Sequence, residues 1–279
     1  VNVPEQLNFI RQQLHQVKQA SGQATRAFGL VEKGSEQAAD LLTTISNDMF
    51  EAGISNRRWD LGSAARRAEE RLGEVVVHHD QVVTDLDTLY DADPTIQEAL
   101  YQARAQVDSL GLPSNSTWLL RNAIDSAKRE EDYATAATDE IDRSLTGMES
   151  ELSSVLDSAA EVGKRPTHRW GHGYGPGRGG WGRGRRERSC NTWQGQHFRE
   201  RWQQRLLERR QRARALDEST GKLDNPFRDI DRSAERGARH QAEVVDYVNQ
   251  ALRWVDQIEQ EYLTSRAKEP APRPGATPG

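Results

Sequence analysis

Seven arginines, Arg165, Arg169, Arg178, Arg183, Arg185, Arg186 and Arg188, fall within residues 163–191, interleaved with Trp170, Tyr174 and Trp181 in a stretch rich in glycine. Guanidinium groups pair bidentately with phosphate oxygens, and exposed aromatic rings offer faces on which unpaired bases stack. These residue types together therefore point to a polyanion, and most plausibly to nucleic acid. The stretch has no hydrophobic period, and its composition predicts disorder in isolation. A second group of arginines lies on a helix predicted over 192–218, where Arg201, Arg205, Arg209 and Arg212 recur at helical spacing. Arg199, Arg210 and Arg214 widen that positive surface, while Phe198, Trp202, Leu206, Ala213 and Leu216 gather near another face. A basic amphipathic helix of this kind fits a phosphate backbone, an anionic membrane surface or an acidic helical partner. Its phosphate contacts would give salt-dependent affinity without base-specific readout.

Other residue types could do chemistry, but their spacing argues against it. His168 and His172 are four apart, with Cys190 and His197 further on. A structural zinc site wants four soft or imidazole ligands in short paired spacings, and here only the first pair is close. His79 falls on a helical seam, where it reads as a partly buried core residue or one hydrogen-bonded to a neighbour. Carboxylates such as Glu130-Glu131-Asp132 and Asp139-Glu140 read as helix-face groups satisfied by partners four residues away. No P-loop, dinucleotide glycine fingerprint, nucleophile elbow or HExxH is present. Nearby arginines favour the Cys190 thiolate, yet no base stands beside it. The expectation is a protein with no catalytic residue, no cofactor and no metal.

The formal net charge of −5 conceals a segregation. Residues 1–163 carry 14 Lys and Arg against 28 Asp and Glu, residues 164–216 carry 15 against 3, and residues 217–279 carry 9 against 12. One strongly basic block thus lies between acidic flanks, which implies an anionic partner or charge matching within the molecule.

The elements around that block are helices. Leu7, Ile10, Leu14, Val17, Ser21, Ala24, Phe28, Val31, Ser35, Ala38, Leu42, Ile45, Met49 and Ala52 follow steps of three and four, and twelve of these fourteen are apolar. A second seam runs from Leu61 to Leu110 and passes Pro94 without losing phase; a third runs from Leu120 to Val162. Turn and capping residues, Ile54-Ser55-Asn56 and Leu112-Pro113-Ser114-Asn115, separate them. Three helices of similar length with short connections predict an all-α fold, an elongated antiparallel three-helix bundle with heptad seams, spectrin-like in shape, over residues 1–162. Glycines at 22, 29, 34 and 53 weaken the first helix and leave room for a break near Gly34. The Gly/Arg-rich segment 163–191 follows. Residues 192–266 should form a helical hairpin, the second arm opening at Asn225-Pro226 as cap and first-turn proline. Residues 267–279 form a proline-rich tail, extended and mobile.

Hydrophobic residues make up 35% of the 279-residue chain and aromatic residues 6%, thin material for a globular core but sufficient for helical stripes. With no apolar run of spanning length, no signal-peptide core and a single cysteine, the expected setting is cytoplasmic, with secretion by a non-classical route as the alternative.

Two local resemblances add to this. Arg178-Gly179-Gly180 resembles the RGG-type segments that bind RNA. Trp193-Gln194-Gly195, followed by Phe198 and Trp202, resembles the Trp-x-Gly turn of the small helical-hairpin proteins exported by type VII secretion systems. That family places the tripeptide between two helices and an acidic residue four positions after a tyrosine; here Arg266 stands four positions after Tyr262. The function expected from the sequence is a non-enzymatic helical scaffold or assembly protein. Its acidic bundle mediates association with itself or with a helical protein partner, and its basic block engages a polyanion. The alternatives are a structural component of a larger particle or filament, with the basic segment docked on acidic protein surface, and a type VII-like secreted protein.

Overall fold

The computed structural model describes residues 2–54, 58–112, 114–163 and 194–268. They form four helices in chain order, α1 (Val3–Ile54), α2 (Arg58–Ser109), α3 (Asn115–Gly163) and α4 (Gln194–Lys268). The chain is all-α, as its seams predict. It divides into two compact units, one drawn from Val1–Gln37, Val77–Gly147 and Pro226–Gly279, the other from Ala38–Val76 and Met148–Asn225.

In the first unit each helix lies antiparallel to the next, and the last returns beside the first. Gln6 near the start of α1 donates to Ser109 at the end of α2 (3.0 Å), and Arg104 of α2 donates to Asp125 of α3 (2.7 Å). Ser116 at the start of α3 donates to Glu261 near the end of α4 (2.7 Å), while Arg11 of α1 is held by Asp256 and Glu259 of α4 (2.9 and 2.7 Å). This is an up-down-up-down four-helix arrangement. The three helices expected over the first 162 residues are present as α1, α2 and α3, but α4 joins them in this unit as a fourth, its seam from Phe227 to Ile258 itself buried.

The core follows the seams closely. Every α1 position from Leu7 to Ala52 in the series above is buried, including the small polar Ser21 and Ser35. Phe28 is among the largest fully buried side chains, and its ring occupies the space that a side chain at Gly237 of α4 would need; a Cβ there would lie 2.3 Å from Phe28 Cε1. Gly34 plays a similar part against α2, where an added Cβ would meet Val82 Cγ2 at 3.0 Å. α1 runs unbroken through Gly34. At the end of α2, Gly111 takes a left-handed backbone (φ 64°), and Ser114 Oγ then accepts from the Thr117 amide at 3.1 Å to cap α3. The capping role expected at this connection is present.

In the second unit the core comes from Leu42, Ile45 and Met49 of α1, Leu72 and Val75 of α2, Leu152 and Val155 of α3, and Leu216 and Leu223 of α4, with many alanines between them. Alanine buries less area per residue, so this packing is thinner for its length. Polar contacts supplement it: Asp48 of α1 is bridged by Arg67 (3.2 Å) and Arg71 (2.5 Å) of α2, and Ser46 donates to Asp217 of α4.

The helical hairpin expected over 192–266 is a single 75-residue helix. Pro226 lies inside it, as Pro94 lies inside α2. An interior proline costs about 3 kcal/mol through a lost hydrogen bond and a steric clash. Against that, Ala213, Leu216, Thr220, Leu223, Phe227, Ile230 and Ala234 are all buried at three- and four-residue steps on both sides of the proline. Burial of each large apolar side chain stabilises by roughly 1.5–3 kcal/mol, so keeping the seam in phase outweighs the break.

Candidate functional site

The arginine-rich block falls in two parts. Arg165, Arg169, Arg178, Arg183, Arg185, Arg186 and Arg188, with Trp170, Tyr174 and Trp181, lie outside the described residues. So do His168, His172, Cys190 and Trp193. Arg201, Arg205 and Arg209 lie on α4, as does His197, but their side chains are not among those described; Gln194 and Gly195 are the first residues of that helix. Arg210 is half-buried, and Arg212 and Arg214 are exposed. The apolar face expected on this stretch is present at Ala213 and Leu216, both buried. Helical geometry therefore separates a positive surface from a packed stripe here, and Arg212 borders a surface groove with Asp157 and Glu161 of α3.

The most organised chemistry lies elsewhere, in the first unit, at a level where α2, α3 and α4 bring polar groups onto the seam. Glu131 of α3 is 1% exposed and accepts a hydrogen bond from Gln241 Nε2 of α4 at 2.6 Å; Gln241 is itself 2% exposed. On the α2 side, the Glu131 carboxyl hydrogen-bonds Asp93, which in turn receives Thr135 Oγ1 at 2.7 Å and Gln97 Nε2 at 2.9 Å. Burial pushes the Glu131 pKa up to about 8; the bond from Gln241 works against the rise and the neighbouring charge of Asp93 adds to it. With its pKa near 8, the Glu131 carboxyl is a neutral acid at pH 7, carrying a proton instead of a charge. Its isolation from water keeps it from any external substrate.

Next to this layer α3 and α4 carry a second pair. His240 Nδ1 lies 2.8 Å from Glu130 Oε2, and the Tyr133 ring packs against the imidazole with centroids 5.2 Å apart. Glu243, one turn further along α4, brings its carboxylate into the same space, so that ligand atoms of Glu130, His240 and Glu243 lie within 4.8 Å of one another. These residues are the ones that sequence reasoning misplaced. Glu130, Glu131 and Glu140 were expected to find partners on their own helix, whereas Glu130 meets His240, Glu131 meets Gln241, and Glu140 accepts from Ser233 and Arg236, all across α4. The signal available was register: Glu131 and Gln241 each occupy a seam position of their helix. His79 behaves as expected, 8% exposed with Asp80 at 3.3 Å.

Acidic crowding marks the α1–α4 side of the same unit. Burial, followed by the charge of Asp231, raises the pKa of Glu32; burial, followed by the charges of Glu36 and Glu235, raises that of Asp231. Among the described residues, no helix is long and apolar enough to cross a membrane. No family model, curated protein or solved structure matches the chain.

Proposed function

We propose that the chain is a non-enzymatic helical scaffold that holds an arginine-bearing helix and its neighbouring Gly/Arg segment for binding a polyanion, with nucleic acid as the partner its chemistry fits best. The observation that carries this reading is the segregation of charge: 15 Lys and Arg against 3 Asp and Glu over 164–216, set against 14 and 28 over 1–163. The described portion of that block supports it, since Arg212 and Arg214 stand exposed on a helix whose other face is buried at Ala213 and Leu216. Bidentate arginine contacts to phosphate and stacking on Trp170, Tyr174 and Trp181 would act together on a single strand. The four-helix core serves to present this surface and to support self-association or docking of a helical partner.

The test compares the full chain with a variant lacking residues 164–189, each purified at low salt, by light scattering for mass and by the ratio of absorbance at 260 and 280 nm. Retained nucleic acid that disappears with the deletion supports the reading; full-length protein free of nucleic acid and unable to bind an oligonucleotide contradicts it.

One observation favours a second reading. Arg212 shares its groove with Asp157 and Glu161, the arrangement expected if basic residues dock on acidic helix surface, as in a structural component of a larger particle. Crosslinks from α4 arginines only to protein carboxylates would select it.

A further inference from the structure

Among the described residues one group of side chains has the composition and closeness of a metal site, and we infer that Glu130, His240 and Glu243 together bind a divalent transition cation of the Zn2+ type on the surface of the first unit. Three features of the fold carry this. His240 and Glu243 are three apart on α4 and so share a face, while Glu130 approaches from α3; their ligand atoms lie within 4.8 Å of one another. Ligand atoms around a tetrahedral zinc with bonds of about 2.0–2.1 Å stand roughly 3.4 Å apart, so a small movement of the exposed Glu243 closes the set. The second feature is the state of the imidazole. It is held rather than free, with Glu130 Oε2 at 2.8 Å from Nδ1 and the Tyr133 ring 5.2 Å away limiting its rotation. The third is the platform: the adjacent Glu131 and Gln241 are buried and hydrogen-bonded at 2.6 Å, which fixes α3 against α4 at the level where the ligands project.

The donor set selects the ion. One imidazole nitrogen and two carboxylate oxygens suit a borderline first-row cation, whereas Ca2+ and Mg2+ want six or more oxygen ligands. Two carboxylates neutralise the charge of the cation, and water completes its coordination.

The experiment is a calorimetric titration of Zn2+ into metal-free full-length protein at pH 7.5. A variant in which His168 and His172 are both alanine is measured alongside, to separate this site from the other histidine pair. The expected result is one site of micromolar or better affinity, kept in the His168/His172 variant and weakened at least about ten-fold by Glu243→Gln and by His240→Ala. Because Glu243 is exposed, its replacement leaves the thermal melt in chelator unchanged. Binding weaker than about 100 μM, or binding that survives Glu243→Gln but is lost in the His168/His172 variant, overturns the assignment.

Discussion

Gln241 of α4 donates to Glu131 of α3 at 2.6 Å with both side chains withdrawn from water, so the centre of the first unit is joined by a buried polar pair, one member of which holds its proton at neutral pH. A heptad seam that admits Glu and Gln opposite each other fixes the register of the two helices, because a shift of either would bury a polar group with no partner.

The raised pKa makes stability depend on pH. Glu131 titrates near 8 when folded and near its ordinary 4.5 when unfolded, so between those values the unfolded chain has released a proton that the folded chain retains. Its contribution is therefore complete below about pH 4.5 and is lost as pH rises to about 8, a change of up to roughly 5 kcal/mol for this group alone. Urea unfolding followed from pH 5 to 9 should show falling stability, and Glu131→Gln, which keeps the hydrogen bonding and removes the ionisation, should flatten the curve.

Below that window other carboxylates act in the opposite sense. Arg104 holds Asp108 below the usual aspartate range, and for Asp48 the hydrogen bonds from Arg67 and Arg71 outweigh a burial that alone would raise its pKa. Their contributions are present above the ordinary aspartate pKa and vanish as pH falls through their depressed values. Maximum stability should accordingly lie in mild acid, a maximum that a melting series from pH 3 to 9 would locate.

Removing one member of the polar pair should cost more than removing both. Gln241→Leu leaves a buried carboxyl without its donor and should destabilise by about 1–3 kcal/mol. The double change Glu131→Leu with Gln241→Leu removes the whole burden and should recover that loss or exceed it. Denaturant unfolding of Gln241→Leu, Glu131→Leu and the double variant measures the coupling.

Gly237 should be intolerant of any side chain. Alanine gains about 1 kcal/mol of helix propensity there, but its Cβ would sit 2.3 Å from Phe28, and overpacking of this kind costs typically 1–3 kcal/mol or more. Gly237→Ala should lower the melting temperature, and Phe28→Leu in the same chain should restore part of it. At Gly22, where nothing lies within 4 Å of an added Cβ, alanine should stabilise instead.

These particulars show what the amino-acid pattern carries. The seams were legible because helix packing depends on a simple period: Leu7 to Ala52 is buried position by position. Pro226 concealed the continuity of α4, since a proline after an asparagine reads locally as a helix start, and only the burial of Leu223 and Phe227 on either side overrides it. The polar layer was hidden for a related reason. Glu131 and Glu130 acquire their meaning from Gln241 and His240, more than a hundred residues away, and no local spacing encodes which helix faces which. Arg210, Arg212 and Arg214 were visible from composition, yet a count of arginines does not separate a partner surface from charge matching within the molecule.

The central claim, that the block from 164 to 216 engages nucleic acid, is tested most directly by fluorescence anisotropy of a labelled single-stranded oligonucleotide titrated with the full chain between 50 and 300 mM salt. The predicted result is an affinity that falls steeply and linearly on a double-logarithmic plot, with a shallower slope when Arg212 and Arg214 are both changed to glutamate. Absence of binding at the lowest salt, or an affinity indifferent to salt and to those two substitutions, would contradict it.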